Sequence, residues 1–396
     1  MHMKKQKITA SYDYIIDNNE IWFLPFGRNF LCKRDCATQE TETFLIDGME
    51  IDRANEQFYQ TILKIGNKIL LVPRVAKKMA IFHCEKKEMT YLEVPESIEV
   101  HNSMYEPDAA EFWRGFTYEK YFFLLGFGYP GIVRVDSESF DVIVINDWHN
   151  DFEKLIQNTY IGYFANGLVL DGEKAVIPFY GCCACLELDL STLSGRVLPL
   201  DLNYNGIHGI SGDHNAVWIT GWGKEDNYLT KWDGKSYERI KICEKTAISP
   251  LFYPPLEYRD RLFIVPYRYS DKIYCYEKNS NEIFVWKTDK QVPVSEKKTF
   301  YSFMEPKIVG DKLVLVSGAS FEWIVIDLIT GEEDIFCIDI SGEEPEEEFL
   351  AAYYRACASR NLVIDELLLP LETFCEFIKK GELCDDRQAF GGNSDV

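Results

Sequence analysis

An all-β ring of seven four-stranded antiparallel units, followed by a short C-terminal helical extension, is the fold class this sequence predicts. Three observations carry it. Runs of β-branched and aromatic residues are cut at seven corresponding points by Pro25, Pro73, Gly126, Pro178, Thr220, Pro266 and Ser317. The successive separations of these breaks, 48, 53, 52, 42, 46 and 51 residues, suit one four-stranded blade per repeat. Around each break, further short runs with period-two alternation recur in the same order, divided by turn residues.

Within each unit four strands, A to D, can be assigned. Strand B is the clearest, at residues 21–24, 69–72, 121–124, 175–177, 216–219, 262–265 and 313–316. Its continuous apolar runs belong to strands covered on both faces. A polar turn stands before it, as in Asp17-Asn18-Asn19-Glu20 and Gly310-Asp311-Lys312, so A and B form a hairpin. Strand C carries a looser alternation that ends in an acidic or small polar turn, at 133–136, 186–189, 230–233, 274–277 and 325–327. Strand D closes each unit, at 43–47, 90–94, 141–146, 197–202, 238–243, 283–287 and 334–339. The ring is expected to close either by packing of the first unit on the last or by an added strand from residues 7–10.

The chain resembles β-propeller repeat proteins in general over residues 8–340, with units ending in turns of the type Asp136-Ser137-Glu138-Ser139. The resemblance implies a seven-bladed β-propeller. The paired glycines of kelch repeats, the Gly-His and Trp-Asp pairs of WD40 repeats and the Asp-box of sialidases do not recur, so no residue roles carry over. After Ile340 the pattern changes. Phe349, Leu350, Tyr353, Tyr354 and Cys357 fall at helical spacing, and a second helix is expected after Pro370 with Leu371, Phe374, Cys375 and Ile378 on one stripe. Residues 341–384 are therefore assigned as a helical extension, docked on the propeller or serving as a partner-binding handle. Residues 385–396 are expected to be disordered.

Composition narrows the partners. The net charge of -22, from 64 acidic and 42 basic residues, disfavours nucleic acid and anionic membrane. No stretch reaches the length of a membrane-spanning helix, and residues 1–11 carry Lys4, Lys5 and Lys7 without an apolar signal-peptide core. Twelve scattered cysteines without framework spacing point to reduced thiols, and cytoplasmic localisation is expected.

In a propeller the B–C and D–A connections share one face around the axis, and a ligand is expected there. The B–C loops place Phe26, Arg28, Arg74, Tyr129, Tyr180, Trp222, Tyr267, Arg268 and Phe321 on that face. Aromatic faces stack on sugar rings or peptide side chains, and arginine offers a planar fork to carboxylate or phosphate. The alternative is that the aromatics cover blade tops while the arginines pair with neighbouring acids. His208, at the start of strand A of unit five, is a candidate ligand-binding or acid–base residue, with a structural role as the alternative. Cys182-Cys183-x-Cys185 lacks the four converging ligands of structural zinc, and buried strand cysteine is the preferred reading. No metal and no cofactor is expected. The function expected is a non-catalytic recognition or scaffold propeller for a protein, peptide, anionic small molecule or anionic glycan. The alternative is a carbohydrate-active or other small-molecule enzyme with its site at the channel mouth.

Overall fold

The computed structural model describes residues 8–9, 11–25, 29–46, 58–96, 112–156, 162–213, 215–223, 225–245, 251–288, 301–318 and 320–340. The expected helical extension and tail, residues 341–396, lie outside them. Blade 1 is built from antiparallel strands A (Ser11–Asp17), B (Glu20–Pro25), C (Phe30–Asp35) and D (Thr41–Leu45), hydrogen-bonded in that order. The same order repeats in blades 2 (residues 59–93), 3 (112–145), 4 (169–199), 5 (206–241), 6 (256–288) and 7 (307–336). The one helix among the described residues, His149–Glu153, sits in the connection from blade 3 to blade 4.

Strand B shows why these sequences stack as blades. Successive side chains of a strand point to opposite faces, and in blade 1 Trp22 and Leu24 pack against blade 2 while Phe23 packs against blade 7. In blade 3, Phe122 and Leu124 face blade 2 while Phe123 and Leu125 face blade 4. The buried residues accordingly fall into seven clusters, one for each pair of neighbouring blades, including the pair formed by blades 7 and 1. Strand D is half-exposed in every blade, which places it at the outer edge.

The C–D turns share one device. Asp35, Asp136, Asp189, Asp233 and Asp327 each accept hydrogen bonds from the backbone N–H groups two and three residues on. These contacts lower the carboxyls of Asp189 and Asp233 to about 2.

Ring closure uses both devices left open by the sequence. Blades 7 and 1 share an apolar cluster in which Trp323 meets Tyr14 at 5.0 Å, and Ile8–Thr9 pairs antiparallel with Ile338–Asp339. The run expected as strand D of blade 7, 334–339, therefore divides at Cys337. Glu333–Phe336 stays with its own blade, and the next two residues cross to the N-terminal strand. Two of the seven breaks also differ from expectation. Strand B of blade 5 (Val217–Trp222) runs through Thr220, because Gly206 and Ile207 of strand A, beyond a bulge, still pair with Trp222 and Gly221. In blade 6, Pro266 has no N–H for the ladder, and Pro266–Arg268 leaves the sheet to pair with Leu251–Phe252.

Candidate functional site at the axis

Strand A holds the feature that makes the site. In blades 1, 2, 3 and 5 its pairing with strand B slips near its start, between Ser11 and Tyr14, Tyr59 and Thr61, Phe112 and Arg114, and Ile207 and Gly209. An extra residue at such a bulge re-aims the side chains beside it. Residues in or beside these bulges, and their counterparts in blades 4 and 7, form a polar layer around the axis comprising Asp13, Thr61, Arg114, Asn166, His208 and Glu305.

Arg114 is the centre of that layer. Its Nε donates to Asn166 Oδ1 at 2.6 Å, and its Nη2 lies 2.6 Å from Glu305 Oε2. Glu305 leads into blade 7, which is three steps from blade 3 by the shorter way round the ring, the largest separation seven blades allow. The ion pair therefore crosses the axis. Asn166 Nδ2 continues the network by donating to the His208 carbonyl at 3.2 Å. Asp13 accepts from the Lys307 ammonium and from the N–H groups of Tyr14 (2.8 Å) and Ile62 (3.2 Å). The layer thus carries two cations and two carboxylates in contact. Burial pushes the Glu305 carboxyl up, Arg114 draws it back, and Asp13 raises it again.

His208 is 3% exposed, and its Nδ1 lies 2.6 Å from the Phe252 carbonyl. A carbonyl only accepts, so Nδ1 carries the proton and Nε2 is bare. Burial holds its pKa down to about 4 against that hydrogen bond, with Arg268 and Arg114 adding to the depression.

Above the polar layer, on the face of the B–C loops, lies an arc of rings. Trp113 stacks on Phe127 at 3.6 Å, Phe127 meets Tyr180 at 5.4 Å, Tyr180 meets His208 at 6.3 Å, and His208 meets Tyr267 at 4.9 Å. The arc continues from Tyr267 to Tyr301 at 5.0 Å and from Tyr301 to Tyr12 at 5.4 Å. Six of the seven blades contribute to it. Trp222 backs Tyr180, stacking at 5.5 Å and donating its indole N–H to the Tyr180 carbonyl at 2.9 Å.

Arg268 lies between two members of the arc, its guanidinium 4.8 Å from the Tyr267 ring and 5.1 Å from the Tyr301 ring. It also donates to the Tyr267 hydroxyl at 3.2 Å. Burial pushes the Tyr267 phenol well up. Tyr301 is also pushed up by burial, but Arg268, the hydrogen bond with Tyr267 and the charge of Arg74 bring it below its ordinary value. Arg268 contributes to lowering both groups, although burial is the larger cause for His208.

Of the sequence-derived candidates, the structure gathers Arg74, Tyr180, His208, Trp222, Tyr267 and Arg268 at this mouth. Phe321 packs at its edge on the cluster between blades 7 and 1 that also holds Tyr12. Tyr129 is placed elsewhere. It turns into the core between blades 2 and 3, 6% exposed with its ring 4.8 Å from Phe112, because the Phe127–Tyr129 turn folds it under its own loop. Phe26 and Arg28 lie outside the described residues. Sequence reasoning missed Tyr12, Asp13, Trp113, Arg114, Asn166, Tyr301, Glu305 and Lys307, all from the D–A side. A signal for them exists: Asp13, Thr61, Arg114, Asn166, His208, Pro254 and Glu305 each stand 12 residues before a break.

Of the cysteine run only Cys185 lies in a strand, while Cys182 and Cys183 are half-buried in the bend before it, so the expected buried strand cysteine holds for Cys185 alone. Cys185 is fully buried, burial pushes the Cys182 thiol up to about 12, and Cys183 Sγ contacts the Tyr204 carbonyl. Among the described residues no three His, Cys, Asp or Glu side chains converge as metal ligands. A separate cleft of about 300 Å³ between blades 4 and 5 is lined by residues that include Tyr204, Glu225 and Arg239. Within it Arg239 pairs with Glu225 at 2.6 Å, and Asp201 adds a second carboxylate.

No protein-family model and no curated protein matches the chain. Solved structures do match. A streptogramin B lyase superposes with a TM-score of 0.54 at 11% identity, over 79% of this chain and 92% of that one. The chain is a seven-bladed β-propeller. YCF48 bound to D1 peptide superposes on this propeller with a TM-score of 0.53 at 11% identity, over 80% of this chain and 92% of that one. BamB from Moraxella catarrhalis gives 0.52 at 8% identity, over 85% and 91%. Likeness at these identities concerns the fold alone.

Proposed function

We propose that this propeller is a non-catalytic recognition module, and that it binds an anionic group of a protein or peptide partner at the axial mouth of the B–C loop face. The observation that carries the reading is the position of Arg268, held between the rings of Tyr267 and Tyr301 on an aromatic arc. A stacked guanidinium keeps its charge while its flat faces are covered by rings, an arrangement suited to a carboxylate or phosphate. The non-catalytic part is supported by the groups beneath the arc. His208 is a weak base whose Nδ1 is committed to a backbone carbonyl, and Arg114 is engaged by Glu305 and Asn166. A solved propeller of the same fold is bound to a peptide, which supports the choice of partner class by analogy. Cytoplasmic localisation, the expectation from cysteine usage, is part of the proposal.

The test is capture of peptides from a random-sequence pool by the immobilised protein and by its Arg268→Met variant. Captured peptides rich in carboxylate or phosphate, with at least tenfold less captured by the variant, are the expected result. Capture unaffected by the substitution, or no capture at all, refutes the reading.

A further inference from the structure

A second site lies away from the axis, where the connection from blade 4 crosses blade 5. In blade 5, Thr230 and Trp232 of strand C pair with Arg239 and Tyr237 of strand D, so by period-two alternation all four share one face. Trp232 and Tyr237 pack into the cluster between blades 4 and 5, which identifies that face as the one turned to blade 4. Residues 201–204 lie against it, pinned by Tyr204, whose hydroxyl is 2.7 Å from Thr230 Oγ1 and 3.2 Å from the Tyr228 carbonyl. Arg239, opposite the short Thr230 side chain, is drawn to Glu225 at 2.6 Å and over the Tyr228 ring at 4.4 Å. The space left between these groups is the cleft of about 300 Å³.

Its charges do not balance. Arg239 is the one cation among the described residues that line it, against the carboxylates of Asp201 and Glu225. Arg239 engages Glu225 Oε2, which leaves Oε1 as an open acceptor, and the exposed Asp201 carboxylate pairs with no described residue. One residue beyond Glu225, Asp226 is 9% exposed, and its Oδ1 is buried without a hydrogen-bond partner among the described residues. A third negative charge therefore stands beside the cleft, and an entering anion would be repelled by all three. A divalent metal needs several oxygens converging on one point, and among the described residues no three His, Cys, Asp or Glu side chains do so. A compact ammonium suits the open acceptors better, because its three donors rotate to meet oxygens on separate residues. The walls formed by Leu202 and the Tyr204 and Tyr237 rings suit an apolar stem behind it.

We propose that the cleft between blades 4 and 5 binds a primary ammonium on an alkyl stem. Asp201 and Glu225 Oε1 accept from its N–H groups, and Tyr204 and Tyr237 flank the stem. The site is independent of Arg268 and of the recognition reading above. The ammonium has two possible sources, a lysine side chain of a protein or a free alkylamine.

The full chain is titrated calorimetrically with Nα-acetyl-lysine methylamide and with pentylamine. Nα-acetyl-norleucine methylamide and pentanol serve as uncharged counterparts, and Nα-acetyl-arginine methylamide as the planar cation. Saturable binding of either amine tighter than about 1 mM, with its uncharged counterpart at least tenfold weaker, supports the proposal. Tighter binding of the blocked lysine assigns a protein as source, and tighter binding of pentylamine a free amine; equal affinities support it with the ammonium and stem alone being read. In each case Asp201→Asn is expected to weaken binding about threefold to tenfold, and Glu225→Gln, which strands Arg239 in the cleft, to abolish it. Asp201 is exposed, and an unchanged unfolding transition of its variant separates lost binding from lost fold. Binding unaffected by both substitutions, equal binding of the uncharged counterparts, tighter binding of the blocked arginine, or no saturable heat with either amine overturns the proposal.

Discussion

Removing one partner of the cross-axis pair is expected to cost far more than the pair's own net worth. Arg114 Nη2 and Glu305 Oε2 are 2.6 Å apart, and both side chains are mostly buried. At an effective dielectric of about 20, unit charges about 4 Å apart attract by about 4 kcal/mol, much of which is offset by desolvation. Arg114→Met leaves Glu305 buried beside Asp13, with Lys307 as the remaining cation and Asn166 Oδ1 deprived of its donor. The expected loss is about 2–4 kcal/mol, the lower part of the range reflecting the residual exposure. Glu305→Met is expected to lose a similar amount by stranding the guanidinium. The double variant, with two apolar side chains of similar length in the same place, is expected to be no less stable than either single one. The coupling free energy would then be about 2–4 kcal/mol. Equilibrium urea unfolding of the four proteins, followed by tryptophan fluorescence and far-UV circular dichroism, measures it, and Trp113 beside Arg114 provides a local reporter. Losses that add to within about 0.5 kcal/mol would refute the cross-axis tie as a coupled unit.

Three further outcomes follow from the same geometry. His208 is held neutral, so between its ordinary pKa of about 6.5 and its folded value of about 4 the unfolded chain takes up a proton that the folded chain refuses; stability from this group is present above that window and declines as pH falls through it. At pH 5 the decline is about 2 kcal/mol relative to pH 7, and His208→Gln is expected to show a pH dependence shallower by that amount in denaturant titrations at the two values; equal dependences would contradict it. Trp323→Ala, in the fully buried cluster that closes blade 7 on blade 1, is expected to cost about 3–5 kcal/mol in urea unfolding. Gly126→Ala places a Cβ 2.0 Å from the Tyr129 carbonyl oxygen and 2.8 Å from that of Gly131, and is expected to lower stability by about 1–3 kcal/mol, read as a lower melting temperature.

The fold was legible because stacking demands the same thing of every blade. Each strand B must bury both faces, so Trp22-Phe23-Leu24 and Phe122-Phe123-Leu124 have the same apolar character although they face different neighbours. Half of the site was legible for a related reason: Pro178 and Pro266 mark where strand B gives way, and Tyr180, Tyr267 and Arg268 follow within two residues. The other half was not. Tyr12 and Trp113 sit on the D–A side at bulges that no local propensity announces, because a bulge is visible only as a shift in register between two strands, and Tyr301 stands ahead of the first strand of blade 7. Tyr129 shows the converse failure, since a loop aromatic can as well fold under its turn as stand over the axis.

The position 12 residues before each break joins these two halves. Along strand B the repeats are alike, because each interface between blades solves one packing problem. At the earlier position they differ, as Asp13, Thr61, Arg114, Asn166, His208, Pro254 and Glu305, although all seven hold the same place in the repeat. Seven copies of one charge there would repel across a space small enough for Arg114 to reach Glu305. Complementary side chains can instead close the centre with ion pairs and hydrogen bonds. Identity between repeats therefore builds the ring, and departure from identity at the axis ties its centre together. A repeat search tuned to similarity finds the first and discards the second, so the residues of a propeller's axial site are best sought where the register is constant and the residue type is not.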